Sequence, residues 1–303
     1  MDVNITVALT YKKHTSCVNT VAITRNAKYI LSGSDDGSVI VFNTETKTVL
    51  HKLTTKRDSV ICIALSDDET FVVVGSDDGT AIIWDYLNDI ARHTFNYGSP
   101  IWSLAISKDN SKLVTCGDVG DEQSNITVWD IMTQKLIKEF NHNRTIYNVV
   151  FAAADGSKVI FADRLSKIHL RDVITNNIQH VVTCPATVFS LTLAHDWTTL
   201  FTGLINGSII RWNLNTGVRE AIFTDHSDWV MTIALNNDET KLISGSYNHQ
   251  IKIWDIATGM CEYTLNQHTD IVRAVAMCGR GNCFVSGSSD KSVVLWNVST
   301  LEC

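Results

Sequence analysis

The sequence predicts an all-β fold in which seven four-stranded units close into a propeller. Two observations predict it. The first is an internal repeat. Each copy can be anchored on the branched apolar residue that opens its first strand: Val18, Val60, Ile101, Ile146, Val188, Val230 and Val272. Successive anchors lie 42, 41, 45, 42, 42 and 42 residues apart. A period of about 40–45 residues with four strand-like segments per unit is the pattern of propeller blades. The second observation is that the two ends of the chain complete one unit. Trp254 stands seven residues before Cys261 and Trp296 seven before Cys303, so copy seven lacks counterparts of residues 262–265. At the other end Tyr11 lies three residues before His14, as Leu265 lies three before His268. The N-terminal residues 5–11 are therefore expected to be the outer strand of the last blade, which ties first and last copies together.

The sixth copy shows how one repeat makes one blade. Residues 230–235, 241–245, 250–255 and 261–265 are short apolar runs, and Asn-, Asp- and Gly-containing turns separate them. These are strand and hairpin signals. Blades are expected at 14–55, 56–96, 97–141, 142–183, 184–225, 226–267, and 268–303 plus 3–11, within a single domain spanning 1–303. The 45-residue step locates an insertion of about four residues in the second turn of copy three, around DVGDEQSN. Insertions map to loops, where function often sits.

Composition narrows the class. Hydrophobic residues make up 45% and charged residues 19%, and the only prolines are Pro100 and Pro185, which suits an ordered domain without a linker. A formal net charge of −7 and the lack of any basic run speak against general nucleic-acid binding. The N-terminus alternates along a strand, without the charged start and apolar run of a signal peptide. No stretch approaches 18 consecutive apolar residues, so membrane insertion is not expected. These features place the protein in the cytoplasm or nucleus rather than in secretion. The eight cysteines form no C-x-x-C pair and are expected to be reduced thiols. Cys278 and Cys283 flank the turn CGRGNC, which allows them to approach each other, but the reading preferred is two small residues at a hairpin, not zinc ligands.

The copy that starts at His226, HSDWVMTIALNNDETKLISGSYNHQIKIWDIATGMCEYTL, resembles the WD-repeat family, and the resemblance covers essentially all 303 residues. It implies a seven-bladed WD-repeat β-propeller whose first strands line a central channel. It also implies a structural network in each well-kept blade, in which an Asp orients a His and a Ser links that His to an indole N–H. Copy seven offers His268, Ser286, Asp290 and Trp296 at these positions. Copy one offers His14, Ser32 and Asp36, with Phe42 in place of the Trp, and copy six offers His226, Ser244 and Trp254, with Asn248 in place of the Asp. Copies two, three and five keep Trp84, Trp129 and Trp212 without the His. Copy four keeps His142 but has Arg171 for Trp and Leu165 for the turn Asp. A His–Ser–Asp set also invites a catalytic reading. Its recurrence at one structural position per blade argues for structure instead. No P-loop, metal-ligand cluster or further nucleophile stands out, so no catalytic, cofactor or metal residues are assigned and the protein is not expected to be an enzyme.

Antiparallel connectivity puts the fourth-to-first and second-to-third loops at one end, here called the top. Residues flanking each anchor, and the residue in each second turn, should face it. They include Trp102, Tyr147, Arg164, Phe189, Trp229, Met231, Tyr247 and Arg273, an aromatic arc over blades three to six with two arginines. Aromatic residues and Arg are enriched at binding hot spots. Acidic groups at Asp35, Asp77, Asp118, Asp121 and Glu122 favour a basic peptide. Trp197 matches Glu239 in a turn at the opposite end and suggests a second contact there. The reading is a non-enzymatic scaffold that binds a protein or peptide partner on the top face. The alternatives are a structural subunit of a multisubunit complex and the regulatory propeller of a longer signalling protein. The strings WDYL, WDIM and WDIA lack the Trp-Asp-x-Arg of one class of ubiquitin-ligase substrate receptors.

Overall fold

The structure, a computed structural model, describes residues 3–55, 58–120, 123–279 and 281–300. Among these residues every helix or strand is a strand, and the strands form seven four-stranded antiparallel sheets. The innermost strands are Val18–Ile23, Val60–Leu65, Ile101–Ile106, Ile146–Phe151, Val188–Leu193, Val230–Leu235 and Val272–Met277. Six sheets run inner to outer in chain order. The seventh is completed from the other end of the chain: Val3–Tyr11 pairs with Val293–Thr300, from Val3 opposite Thr300 to Tyr11 opposite Val293. The fold is therefore a seven-bladed propeller closed by its N-terminal strand, as the spacing of Tyr11 predicts.

Each apolar cluster spans two neighbouring blades, which is why no blade is stable alone. Phe201 and Ile209 of blade five, for instance, pack with Val230, Leu242 and Trp254 of blade six. The anchor valines make the closest of these contacts. A Cβ on Gly245 would lie 2.5 Å from Val272 Cγ1, and one on Gly287 would lie 2.7 Å from Val18 Cγ1. These backbone positions must be glycine because the next blade's anchor fills the space. The second contact joins blade seven to blade one.

The buried polar network differs from blade to blade. In blade seven His268 lies 2.9 Å from Asp290 through Nδ1 and 2.8 Å from the Ser286 hydroxyl through Nε2, and Trp296 Nε1–H donates to the same hydroxyl at 2.9 Å. Blade six keeps His226 on Ser244 at 2.7 Å and Trp254 on Ser244 at 2.8 Å. With Asn248 turned to Ser227 and Gln250, the buried Nδ1 of His226 is left without a hydrogen-bond partner among the described residues. Burial, then the Lys252 charge, pushes the His226 pKa down to about 4, so this imidazole is neutral at neutral pH. In blades three and five threonine replaces the serine: Trp129 and Trp212 donate to Thr115 and Thr202 at 3.3 and 3.1 Å.

Blade one has a substitute that arises only because the ring closes. Phe42 has no N–H. Tyr11, from the closing strand, stacks on it at 4.3 Å between centroids and 8° between planes. Its hydroxyl lies 3.2 Å from Ser32 Oγ, which also meets His14 Nε2 at 2.8 Å. The polar group missing from strand three is thus supplied by the closing strand. His14 holds Asp36 at 3.1 Å. Burial works against the Asp36 charge, but hydrogen bonds from Ser38, the Thr15 N–H and His14 outweigh it and bring its pKa to about 2. Tyr11→Phe, which keeps the stacking and deletes only the hydroxyl, should cost about 1 kcal/mol. A denaturant titration checks this, and an unchanged midpoint would mean the hydroxyl contributes nothing.

Two expectations are corrected. The insertion in blade three is not a loose loop. It lengthens two strands, Lys112–Gly120 and Gln123–Asp130, which stay paired out to Gly120 opposite Gln123. Asp121 and Glu122, at its tip, lie outside the described residues. Cys278 and Cys283 are not separate reduced thiols but a disulfide, with Cα atoms 5.6 Å apart. Their register explains it, since the Cys278 N–H donates to the Cys283 carbonyl at 3.1 Å, so the two side chains face each other across the hairpin mouth. Cys17, Cys62, Cys116, Cys184 and Cys261 are free, and Cys303 lies outside the described residues.

Candidate partner-binding face

The top face is built by one backbone device used seven times. In every innermost strand the ladder slips between the anchor and the second residue after it, as between Val18 and Thr20 or between Val272 and Ala274. Such a bulge leaves one residue unpaired and re-aims its side chain. The seven bulge residues are Asn19, Ile61, Trp102, Tyr147, Phe189, Met231 and Arg273, and all seven line a single cavity of about 650 Å³ at the mouth of the channel. A second device fixes the rim. The N–H of the second-turn residue bonds to the carbonyl of the residue before the anchor at 2.9–3.0 Å in six blades: Asp35 to Cys17, Asp77 to Ser59, Arg164 to Thr145, Ile205 to Thr187, Tyr247 to Trp229 and Ser289 to Ile271. Blade three departs because its hairpin is extended.

The aromatic residues form a continuous row. Tyr147 stacks on Phe189 at 5.3 Å, Phe189 meets Trp229 at 5.1 Å, and Trp229 meets Tyr247 at 5.5 Å. Tyr147 and Phe189 are half-buried within the cavity. Trp229 and Tyr247 continue the row beyond the cavity lining, 39% and 43% exposed, and Trp102 on the cavity wall is 41% exposed. Met231 is half-buried beside them. Arg273 is held by its Nε–H donating to Ser289 at 2.6 Å. Arg164 is exposed and does not line the cavity, so of the two arginines only Arg273 faces it.

Blades one and two give the same cavity a different character. Asp35 and Asp77 are exposed on its wall. Asn19 donates to Asp35 at 2.5 Å and to the Val60 carbonyl at 3.0 Å, while its buried Oδ1 has no hydrogen-bond partner among the described residues. The two exposed carboxylates suit a donor or cation from outside, whereas the buried Asn19 oxygen is closed to it. Nothing within its own copy gives Asn19 a role, because its amide reaches the Val60 carbonyl 41 residues away.

Trp197 sits at the other end of the channel. It is half-buried and occupies a turn position with φ of 58°, where blade six carries Glu239 at 55° and blade three Asn110 at 59°. It borders a cavity of about 320 Å³ with Lys108, Phe151 and Leu193. It is therefore partly packed and shares no cavity with the top-face residues.

One cluster escaped the sequence. His142, Asp163 and His169 come together in blade four with ligand atoms all within 4.8 Å of one another, although no metal-ligand group was expected. The available signal was positional: Asp163 and His169 stand where blade seven carries Ser288 and Val294. Among the described residues no helix is long and apolar enough to cross a membrane.

The comparisons agree with this geometry. A family model described as LRRK2 beta propeller matches residues 4–162, more than half of the chain. One described as WD domain, G-beta repeat matches residues 217–255 and 259–297, which carry the sixth and seventh blades. No curated protein matches the chain.

Proposed function

The chain belongs to the WD-repeat β-propellers, of the LRRK2 beta propeller type over residues 4–162, and from that premise we propose that it is a non-enzymatic scaffold that binds a protein segment across its top face. Propellers of this family are in general protein-interaction scaffolds, so the proposal concerns the face and the kind of partner. The observation that carries it is the convergence of the seven bulge residues on one cavity; two of them, Tyr147 and Phe189, begin a row of four touching rings that runs on to Trp229 and Tyr247. A contiguous exposed apolar patch marks an interaction site. Stiff rings give large contact area at modest entropic cost.

The occupant this face suits has an apolar part and a basic part. The rings of blades four to six take the apolar part. The exposed Asp35 and Asp77 carboxylates offer acceptors to a Lys or Arg. Arg273 supports a partner carboxylate or carbonyl on the remaining side. His14, His226 and His268 face serines inside the blades and are structural, so hydrolase activity is not part of the proposal.

Affinity purification with the wild-type chain, the Trp102→Ala/Trp229→Ala double variant and Trp197→Ala side by side tests the reading. The double variant should lose partners that wild type and Trp197→Ala both retain. Retention by the double variant together with loss by Trp197→Ala would move the site to the bottom face. A reproducible enzymatic turnover abolished by one substitution would overturn the scaffold reading itself.

A further inference from the structure

We propose that His142, Asp163 and His169 form a binding site for a divalent first-row metal ion of the zinc class, one that pins blade three to blade four. His142 closes the outer strand Leu136–His142 of blade three. Asp163 ends Lys158–Asp163 and His169 lies within Lys167–Asp172, both of blade four. An ion shared by the three would bridge two sheets.

Blade four has lost the usual way of making that connection. In blades one and seven the equivalent histidine rests on a serine of the second strand and an aspartate of the second turn. Here those positions hold Phe161 and Leu165, and Arg171 stands at the Trp position. The carboxylate arrives two residues early, at Asp163 opposite the anchor Ile146, where blades one, six and seven carry Ser34, Ser246 and Ser288. A second imidazole arrives opposite Phe161, where those blades carry Ile40, Lys252 and Val294. Two departures from the repeat in blade four, Asp163 and His169, join the retained His142 at the end of blade three and bring two nitrogens and an oxygen to one point.

The local geometry fits a metal. Both imidazoles turn Nε2 toward the same carboxylate oxygen, Oδ2 of Asp163, at 3.4 Å from His142 and 2.9 Å from His169. Ligands about 2.0–2.2 Å from a tetrahedral ion lie roughly 3.3–3.6 Å apart. The first distance is already there; the second must lengthen by about half an ångström, and the three ligand atoms, now within 4.8 Å of one another, must close on the ion. The other carboxylate oxygen, Oδ1, accepts the N–H groups of Leu165 at 2.9 Å and Lys167 at 3.0 Å, which fixes the group and leaves Oδ2 to the ion. Such support around the ligands orients them. Phe161 backs both rings, with centroids 5.1 Å from His142 and 5.0 Å from His169. On the solvent side lies a cavity of about 380 Å³, room for a fourth ligand. Arg144 and Lys167 border it, so that ligand should be anionic, such as hydroxide or a partner carboxylate. Two imidazoles and one carboxylate suit zinc and its neighbours in the first row rather than magnesium or calcium.

The test is titration of the purified chain with Zn²⁺ by calorimetry and with Co²⁺ by absorption, which reads coordination geometry. Wild type should take one equivalent with the visible bands of a tetrahedral site, and Zn²⁺ should raise its melting temperature. Asp163→Asn and His142→Ala should each weaken binding at least 10-fold and abolish the thermal shift. His142 is the more exposed ligand, so His142→Ala decides the matter if Asp163→Asn fails to fold. The exposed His195→Gln and the pair Cys278→Ser/Cys283→Ser should leave binding unchanged. No saturable binding by wild type, or binding that survives both ligand variants, would mean the three side chains are only a hydrogen-bonded cluster. The readout uses metal alone, so its outcome is independent of the top-face reading.

Discussion

A chain lacking residues 1–11 should unfold at a temperature lower by about 10 °C or more, over a broader transition, and should self-associate. The deletion removes the ladder that runs from Val3–Thr300 to Tyr11–Val293 and leaves Val293–Thr300 as an open edge. An unpaired edge strand is a template for pairing with another chain. The loss extends into blade one, because Tyr11 also stacks on Phe42 and meets Ser32. A destabilisation of several kcal/mol in a domain of this size shifts the midpoint by about 2–4 °C per kcal/mol. Calorimetry and size-exclusion chromatography check it. A cooperative transition at the wild-type temperature, from a monomer, would show that the closing strand does not hold the ring.

Trp296→Ala should cost about 3–5 kcal/mol. The side chain is 3% exposed, stacks on Phe284 at 5.5 Å and 10°, and packs with Ile243, Ile253 and Val272 of the blade-six interface. Truncating such a side chain loses its transfer energy and leaves a cavity. The indole N–H that satisfies Ser286 is lost with it. His268 still serves Ser286, so the cavity dominates over the hydrogen bond. A denaturant titration with both chains measures the difference, and a cost under 1 kcal/mol would mean that the indole is not a corner of the blade.

What was legible in the sequence is what repeats. Anchors and turns are set by local turn chemistry and burial and recur seven times, and the His–Ser–Trp positions recur in enough copies that drift in one is corrected by the others. Closure was legible because Tyr11 keeps the spacing to His14 that Leu265 keeps to His268. That the residue after each anchor points into the channel was also legible, but its cause was not, and Arg164, Trp229 and Tyr247 do not line the cavity. The bulge after Val18 or Val272 is a ladder property with no residue signature. What the sequence hid depends on contacts between copies. Tyr11 serving Ser32, the orphaned oxygen of Asn19, and the meeting of His142, Asp163 and His169 each join residues of different blades or strands. Read within its own copy, His169 is simply a residue in a buried strand. Cys278 and Cys283 were read by turn composition, and only the pairing of their backbones shows that the sulfurs face each other.

The central claim, that the top face binds the partner, is tested most directly by the dissociation constant of the recovered partner. Wild type, the Trp102→Ala/Trp229→Ala variant and Trp197→Ala should be measured together, with melting temperatures alongside. Loss of two exposed hot-spot rings costs about 2 kcal/mol or more. The account therefore predicts roughly 30-fold or greater weakening for the double variant, little change for Trp197→Ala, and similar melting temperatures for all three. Wild-type affinity in the double variant, with weakened binding in Trp197→Ala, would contradict it.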